Sequence, residues 1–325
     1  MDRIREGVCQ RDKAKTWVVQ RQIPEAGCSM NRGTWFAVGA YTLWGLLPVY
    51  WKWLQHVPAP QVLCHRILWS FITLFIIILA TRGWSAFREA VTDRRVLIAY
   101  AAAAFLISIN WLTYIWAVNA GFIVETSLGY FINPLFSVLL GVVFFRERPR
   151  SWQWAAIALA AAGVCYLTRV HGTLPWIALT LAGTFGVYGL VKKTAPLGSL
   201  PGLTLETGLL LVPALLFLAH AEKTGSGAFL HGGAVSDTLL AGAGLITAVP
   251  LLLFSSAARR IPLSLIGILQ YIAPTLQFLL GVLVYHEPFT AAKCIGFGIV
   301  WLALAVYAVE GFLVHKGRTI LVVPE

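Results

Sequence analysis

The sequence predicts an all-α integral membrane fold, with ten transmembrane helices arranged as two inverted five-helix repeats. Three observations predict it. Hydrophobic residues make up 58% of the chain and charged residues only 12%, against about 25% charged in soluble domains; so apolar a chain lacks the polar surface to cover a soluble globule. The stretch Ser127 to Pro149, SLGYFINPLFSVLLGVVFFRERP, recurs 140 positions later as Gly267 to Phe289, GILQYIAPTLQFLLGVLVYHEPF. Ile132, Pro134, Leu139, Leu140, Gly141, Val142 and Glu147 return without a gap as Ile272, Pro274, Leu279, Leu280, Gly281, Val282 and Glu287, and a proline and a glutamate in register are not common coincidences in apolar sequence. Finally, the basic residues crowd onto alternate connections.

Residues 1–33 are polar and basic without apolar periodicity, so they are expected to form a disordered cytoplasmic tail. The only methionines are Met1 and Met30. Two readings stand for residues 1–29: a dispensable tail, or an upstream extension with translation starting at Met30. About 20 apolar residues cross a bilayer as helix. That criterion gives spans at 34–53, 60–80, 96–118, 122–145, 152–170, 173–191, 201–219, 238–257, 262–285 and 290–313, joined by short connections rich in Pro, Gly and basic residues. Residues 34–170 form the first repeat, 173–313 the second, and 314–325 a cytoplasmic tail.

With the N-terminus placed inside, twenty basic residues fall on the tails and on the connections after even-numbered spans, and only Arg169 and Lys223 fall outside. Lys52, Arg66 and Lys293 lie within spans or at their ends. Such a bias sets both termini in the cytoplasm. The net charge of +11 is thus a topology signal and not a nucleic-acid footprint. Five spans per repeat is an odd number, so the second repeat enters the membrane in the opposite sense. Inverted repeats characterise secondary transporters, with the solute site near the midplane between the halves. The segment AYTLWGLLPVYWKW loosely echoes TFGVYGLVKKTAP, setting Trp44-Gly45 against Tyr188-Gly189.

The stretches AYTLWGLLPVYWK, HRILWS, NWLTYIWAVNAG, ETSLGYFINPL and QYIAPTLQFLLGV resemble the RarD group of the drug/metabolite transporter superfamily, built from two EamA-type units. The likeness runs from about Arg32 to Phe312. It implies ten helices, a bacterial inner-membrane location, and transport of a small organic solute, with export the preferred direction. It brings no substrate and no residue roles.

Arg66, about six residues inside span two, is the most informative side chain. A charge at that depth costs a few kcal/mol unless paired, hydrated or snorkelled, so it is a candidate anchor for an anionic or carbonyl group; the alternatives are a structural ion pair or snorkelling to the headgroups. The 140-residue offset carries Arg66 onto Glu206, which with Glu125 is a candidate proton-coupling carboxylate. Glu147 and Glu287 repeat and are read as structural caps or interface anchors. Asn110, Trp111, Tyr114, Tyr130, Asn133, Gln270 and Tyr271 are candidate cavity-lining residues, the last four within a turn of the proline kinks at Pro134 and Pro274, where exposed backbone is tolerated if it lines a cavity. The alternative for the amides is helix-to-helix glue. Trp44, Tyr50, Trp51 and Trp53 are assigned to an interfacial belt.

No P-loop, HExxH, CxxC or GxSxG is present, and the five cysteines are scattered, so no cofactor, metal site or disulfide framework is expected. The predicted partners are a small-molecule solute, the lipid bilayer and, in a coupled mechanism, protons. A proton-independent exchanger or facilitator is the nearest rival; a channel, a lipid-translocating protein and a membrane-embedded enzyme rank lower.

Overall fold

The computed structural model describes residues 28–81, 84–146, 149–258, 260–261 and 269–320. The described chain is helical throughout: α1 Cys28–Trp53, α2 Ala59–Ala80, α3 Trp84–Thr92, α4 Arg94–Asn119, α5 Ile123–Phe145, α6 Ser151–His171, α7 Trp176–Thr194, α8 Ser199–Lys223, α9 Ala234–Ala258, α10 Ile272–Leu279 and α11 Ala291–Ile320. Seven helices (α2, α4, α5, α6, α8, α9 and α11) are long and apolar enough to cross a membrane, and shorter apolar helices cover 176–192 and 272–284. This is a multi-pass membrane protein.

Local chemistry sets the helix ends. Pro58 precedes α2 and removes only a donor the first turn does not need. The Asp93 carboxylate accepts from the Arg95 N–H at 2.8 Å and caps α4. Helix α6 stops at Gly172, whose φ of 70° is open to glycine. Helix α3 falls where the sequence reading has only a loop. Nine residues are too few for a span, and Phe87 is buried with Ile78, Val96 and Tyr100.

The span expected at 262–285 is not one continuous α-helix. Residues 262–268 lie outside the described chain; beyond them a turn at Gln270–Tyr271 leads into α10, and a π-helix over Leu280–Val284 follows. Pro274 therefore sits in the first turn of α10, where its missing donor costs little, rather than kinking a helix from inside. Pro134 does lie inside α5.

The packing repeats at the same offset as the sequence. Helices α5 and α7 pack together, as do α10 and α1; α4 packs on α7 and α9 on α1; α2 meets α8, and α6 meets α11. A Cβ on Gly45 would lie 2.8 Å from Leu276, and one on Gly186 would lie 2.6 Å from Phe136. Leu276 and Phe136 stand 140 positions apart, so Gly186 is the packing counterpart of Gly45. Gly189, its partner in the sequence echo, faces open space. One pair is uneven: α2 lies extensively along α9, while the corresponding contact of α8 with α4 is slighter.

The connections at 54–58, 120–122, 172–175, 224–233 and 285–290 gather at one end of the bundle, called here the corner end. The Gln61 amide donates to the Ser226 carbonyl at 2.7 Å and accepts from the Ala228 N–H at 2.9 Å. The Tyr50 hydroxyl donates to the Leu239 carbonyl, and His56 bonds to Ser236. The Glu287 carboxylate accepts from the Ile123 and Val124 N–H groups at 2.7 and 2.8 Å. Glu287 is thus a cap, for α5 rather than for its own segment. Glu147, its sequence counterpart, lies outside the described residues.

Candidate functional site

Arg66 projects from the second turn of α2 into protein, not toward headgroups, and is 5% exposed. Its Nε donates to Thr247 Oγ1 on α9 at 3.0 Å. The Thr247 hydroxyl spends its own proton on the Ala243 carbonyl, 2.9 Å away, so its oxygen presents a lone pair to the guanidinium. The guanidinium carbon lies 4.0 Å from the Trp111 ring centroid and 5.2 Å from that of Trp51. Tyr50, Tyr114 and Tyr130 are close enough to act on its charge, and the Tyr114 and Tyr130 rings meet edge to face at 5.7 Å. Among the described residues no carboxylate oxygen lies within 4.0 Å of it.

Magnitudes explain how an arginine stays there without a counter-ion. Insertion scales put its cost near the bilayer centre at about 2.5–3.5 kcal/mol. A hydrogen bond to a charged group returns about 1.5–3 kcal/mol, and each indole face about 0.5–2 kcal/mol. With two indole faces these terms match or exceed the cost, so Arg66 is held at this depth without a counter-ion. The buried Trp51 Nε1 and Tyr114 hydroxyl find no hydrogen-bond partner.

Of the residues singled out in the sequence, Trp111, Tyr114 and Tyr130 join Arg66. Asn110 does not: its amide donates to the Leu181 carbonyl at 3.0 Å and to Thr184 Oγ1 at 2.9 Å, tying α4 to α7. These bonds are of the kind that the helix-to-helix alternative describes. Gln277 does the same between α10 and α1, donating to the Trp44 carbonyl at 3.1 Å. Asn133 is buried with an unpartnered Oδ1. The Tyr271 ring stacks on Phe131 at 6.4 Å, which joins α10 to α5. Gln270 is half-buried in the turn before α10.

The two carboxylates separate. Glu206 is fully buried near the end opposite the corners, accepting from Lys192 Nζ at 2.7 Å and from the Tyr188 hydroxyl at 3.0 Å. Lys192 also lies 4.7 Å from the Tyr100 ring centroid. Glu206 therefore does not serve Arg66. Glu125 lines a cavity of about 260 Å³ at the corner end, with Trp116, Phe122, Trp176 and Lys293 among its walls.

Trp51 and Thr247 are missed by sequence reading, and Trp51 is wrongly placed in the interfacial belt: it is fully buried beneath Arg66. Tyr50 bonds to α9, and Trp44 packs with Tyr41 and Phe254. Only Trp53 of that group is strongly exposed. The available signal was the offset: Trp51 faces Val191, Trp111 faces Leu251 and Thr247 faces Ile107 across the repeat.

Residues 31–169 match the EamA-like transporter family. The chain is 44% identical to the protein RarD of Streptomyces exfoliatus over 84% of this chain and 87% of that one. It is 39% identical to the protein RarD of Escherichia coli K12, over 88% and 97% of the two chains. The chain belongs to the RarD-like group of the EamA-like transporters. An uncharacterized transporter of Bacillus subtilis, YojE, is 45% identical over 85% of this chain and 93% of its own. A solved crystal structure superposes with a TM-score of 0.56 at 19% identity, covering 87% of this chain and 99% of that one, a likeness of fold alone. As an EamA-like protein the chain is a membrane transporter, and the Arg66 cluster is its candidate solute site.

Proposed function

We propose that this transporter moves a small organic solute across the bacterial inner membrane by alternating access, as an exporter, around a site centred on Arg66. The carrying observation is the Arg66 cluster itself. It is a buried, unpaired cation walled by aromatic rings and drawn from both halves of the chain: Trp51, Arg66 and Trp111 from the first, Thr247 from the second.

The ten spans form two inverted repeats, with both termini cytoplasmic and the corner end facing outward. Contacts that recur at the 140-residue offset support this, and so does the charge bias of the connections. Two inverted copies give two near-equivalent arrangements by exchanging conformations. The uneven pair fits one of them: α2 is closed on α9 while α4 and α8 are less engaged. Opening the corner end requires breaking the Gln61, Tyr50 and Glu287 bridges. Glu206, Lys192 and Tyr188 stand on the cytoplasmic side of the site as the opposing gate.

Glu206 is the preferred proton-coupling carboxylate, with Glu125 second. Protonating Glu206 would release Lys192 and loosen that gate. One observation favours proton-independent exchange instead: both Glu206 oxygens are already engaged, one by the Lys192 ammonium and one by the Tyr188 hydroxyl. A solute panel in proteoliposomes, with and without a pH gradient, tests the reading. Saturable flux is expected, with gradient dependence separating coupling from exchange; an ungated conductance would refute the carrier.

A further inference from the structure

We infer that the Arg66 site takes an organic monoanion with a planar, apolar body, whose carboxylate supplies the counter-charge that none of the described residues provides. The inference rests on the transporter reading only for where the anion goes next; the binding chemistry stands on the cluster.

The buried carboxylates among the described residues, and the half-buried Glu287, are already engaged. Glu206 holds Lys192 and Tyr188, Glu287 holds the N-terminus of α5, and Glu310 holds Arg150. Arg66 is left as a cation with a neutral hydroxyl and indole faces around it. Its Nε is engaged by Thr247; its terminal amino groups have no described acceptor. A carboxylate matches that fork with two parallel hydrogen bonds, the geometry in which arginine outperforms lysine. Two further buried donors nearby, Trp51 Nε1 and the Tyr114 hydroxyl, lack acceptors. Arginine N–H, indole N–H and phenol O–H all give protons, so a group rich in acceptors satisfies them together where an ammonium would meet only repulsion.

Charge count sets the valence. Among the described residues, no second cation lies over the Trp51 or Trp111 ring that Arg66 faces. A monoanion makes the site neutral; a dianion would leave a net charge buried at membrane depth. The walls set the shape. Trp51 and Trp111 face the guanidinium, and Tyr114 and Tyr130 meet edge to face, so an apolar, planar body is the kind that packs among such rings.

The test is equilibrium dialysis of the purified chain in detergent with radiolabelled benzoate, 2-naphthoate and indole-3-acetate, their matched amides and amines, and acetate. The aryl carboxylates are expected to bind saturably and at least tenfold more tightly than amides, amines or acetate. Arg66→Lys should lose about tenfold and Arg66→Gln all measurable binding. Trp111→Leu should weaken the naphthoate more than acetate. The comparison among wild-type ligands needs no variant, so a misfolded mutant does not blunt it. Amides or amines binding as well as carboxylates, no aryl carboxylate binding above acetate, or unchanged binding in folded Arg66→Gln would each overturn the inference. Failure of the transport reading looks different: Arg66-dependent carboxylate binding with no flux of any bound ligand in proteoliposomes.

Discussion

Replacing Glu287 with alanine removes the only side chain described as capping α5. Its two oxygens accept from the Ile123 and Val124 N–H groups at 2.7 and 2.8 Å, across 164 and 163 residues of sequence. Bonds to a charged acceptor contribute about 1.5–3 kcal/mol each, but the half-buried carboxylate loses hydration to make them. Burial pushes its carboxyl pKa above the usual range, against the pull of those two N–H groups and of Lys52 and Lys293. The net loss should therefore resemble that of an N-cap, about 0.5–2 kcal/mol. At about 2 °C per kcal/mol for a chain of this size, Glu287→Ala should melt roughly 1–4 °C lower in detergent by circular dichroism. Glu287→Gln should fall in between, because its carbonyl still accepts one bond and no charge is buried. Amide hydrogen exchange gives the local readout: the Ile123 and Val124 protons should exchange faster in Glu287→Ala while the α6–α11 seam is unaffected. Wild-type melting together with unchanged exchange at those two amides would refute the reasoning.

Three other outcomes follow from the same structure. Lys192→Met strands the fully buried Glu206 and should cost about 3–5 kcal/mol, whereas Lys192→Met/Glu206→Gln should recover most of it; equal losses in the single and double variants in a thermal-melt cycle would show that the pair is not coupled. Gly244→Val drives a side chain into the Trp69 carbonyl where α9 lies against α2 and should abolish stable protein in size-exclusion chromatography, while Gly183→Ala, which meets open space, should behave as wild type; a monodisperse Gly244→Val would contradict this seam. The exposed His231 sits 2.7 Å from Glu222 in the 224–233 connection, and that hydrogen bond raises its pKa above 6.5. A raised histidine value means the attraction is complete below about pH 6.5 and fades as pH rises through the higher, folded value, so proteolysis of this connection should be slower at pH 5.5 than at pH 8.5, with the difference absent in His231→Ala.

Much of this was legible in the chain because membranes punish polar side chains. A lone arginine among apolar residues pointed to Arg66, and the aromatic residues of NWLTYIWAVNAG supplied Trp111 and Tyr114 beside it. At Asn110 two roles stay open in the sequence, since an amide in an apolar helix satisfies itself equally well on a neighbouring carbonyl. Trp51 was missed because a tryptophan near a helix end reads as an interfacial anchor; only the rotation of α1 in the bundle turns it under Arg66. Thr247 lies 181 residues from Arg66, and no local pattern announces such a contact. Glu206 was visible as a buried acid, but its pairing with Lys192 depends on how α7 and α8 meet. Helix α3 escaped because nine amphipathic residues in a basic connection satisfy no span criterion.

The most direct test of the central claim is solute counterflow in proteoliposomes carrying wild-type protein, Arg66→Gln or Lys223→Gln, the last altering an exposed cation at the end of α8. Saturable counterflow in wild type and in Lys223→Gln, with loss of at least tenfold in Arg66→Gln protein that melts as a folded species, is the predicted result. Undiminished counterflow in Arg66→Gln would contradict a solute path centred on that residue.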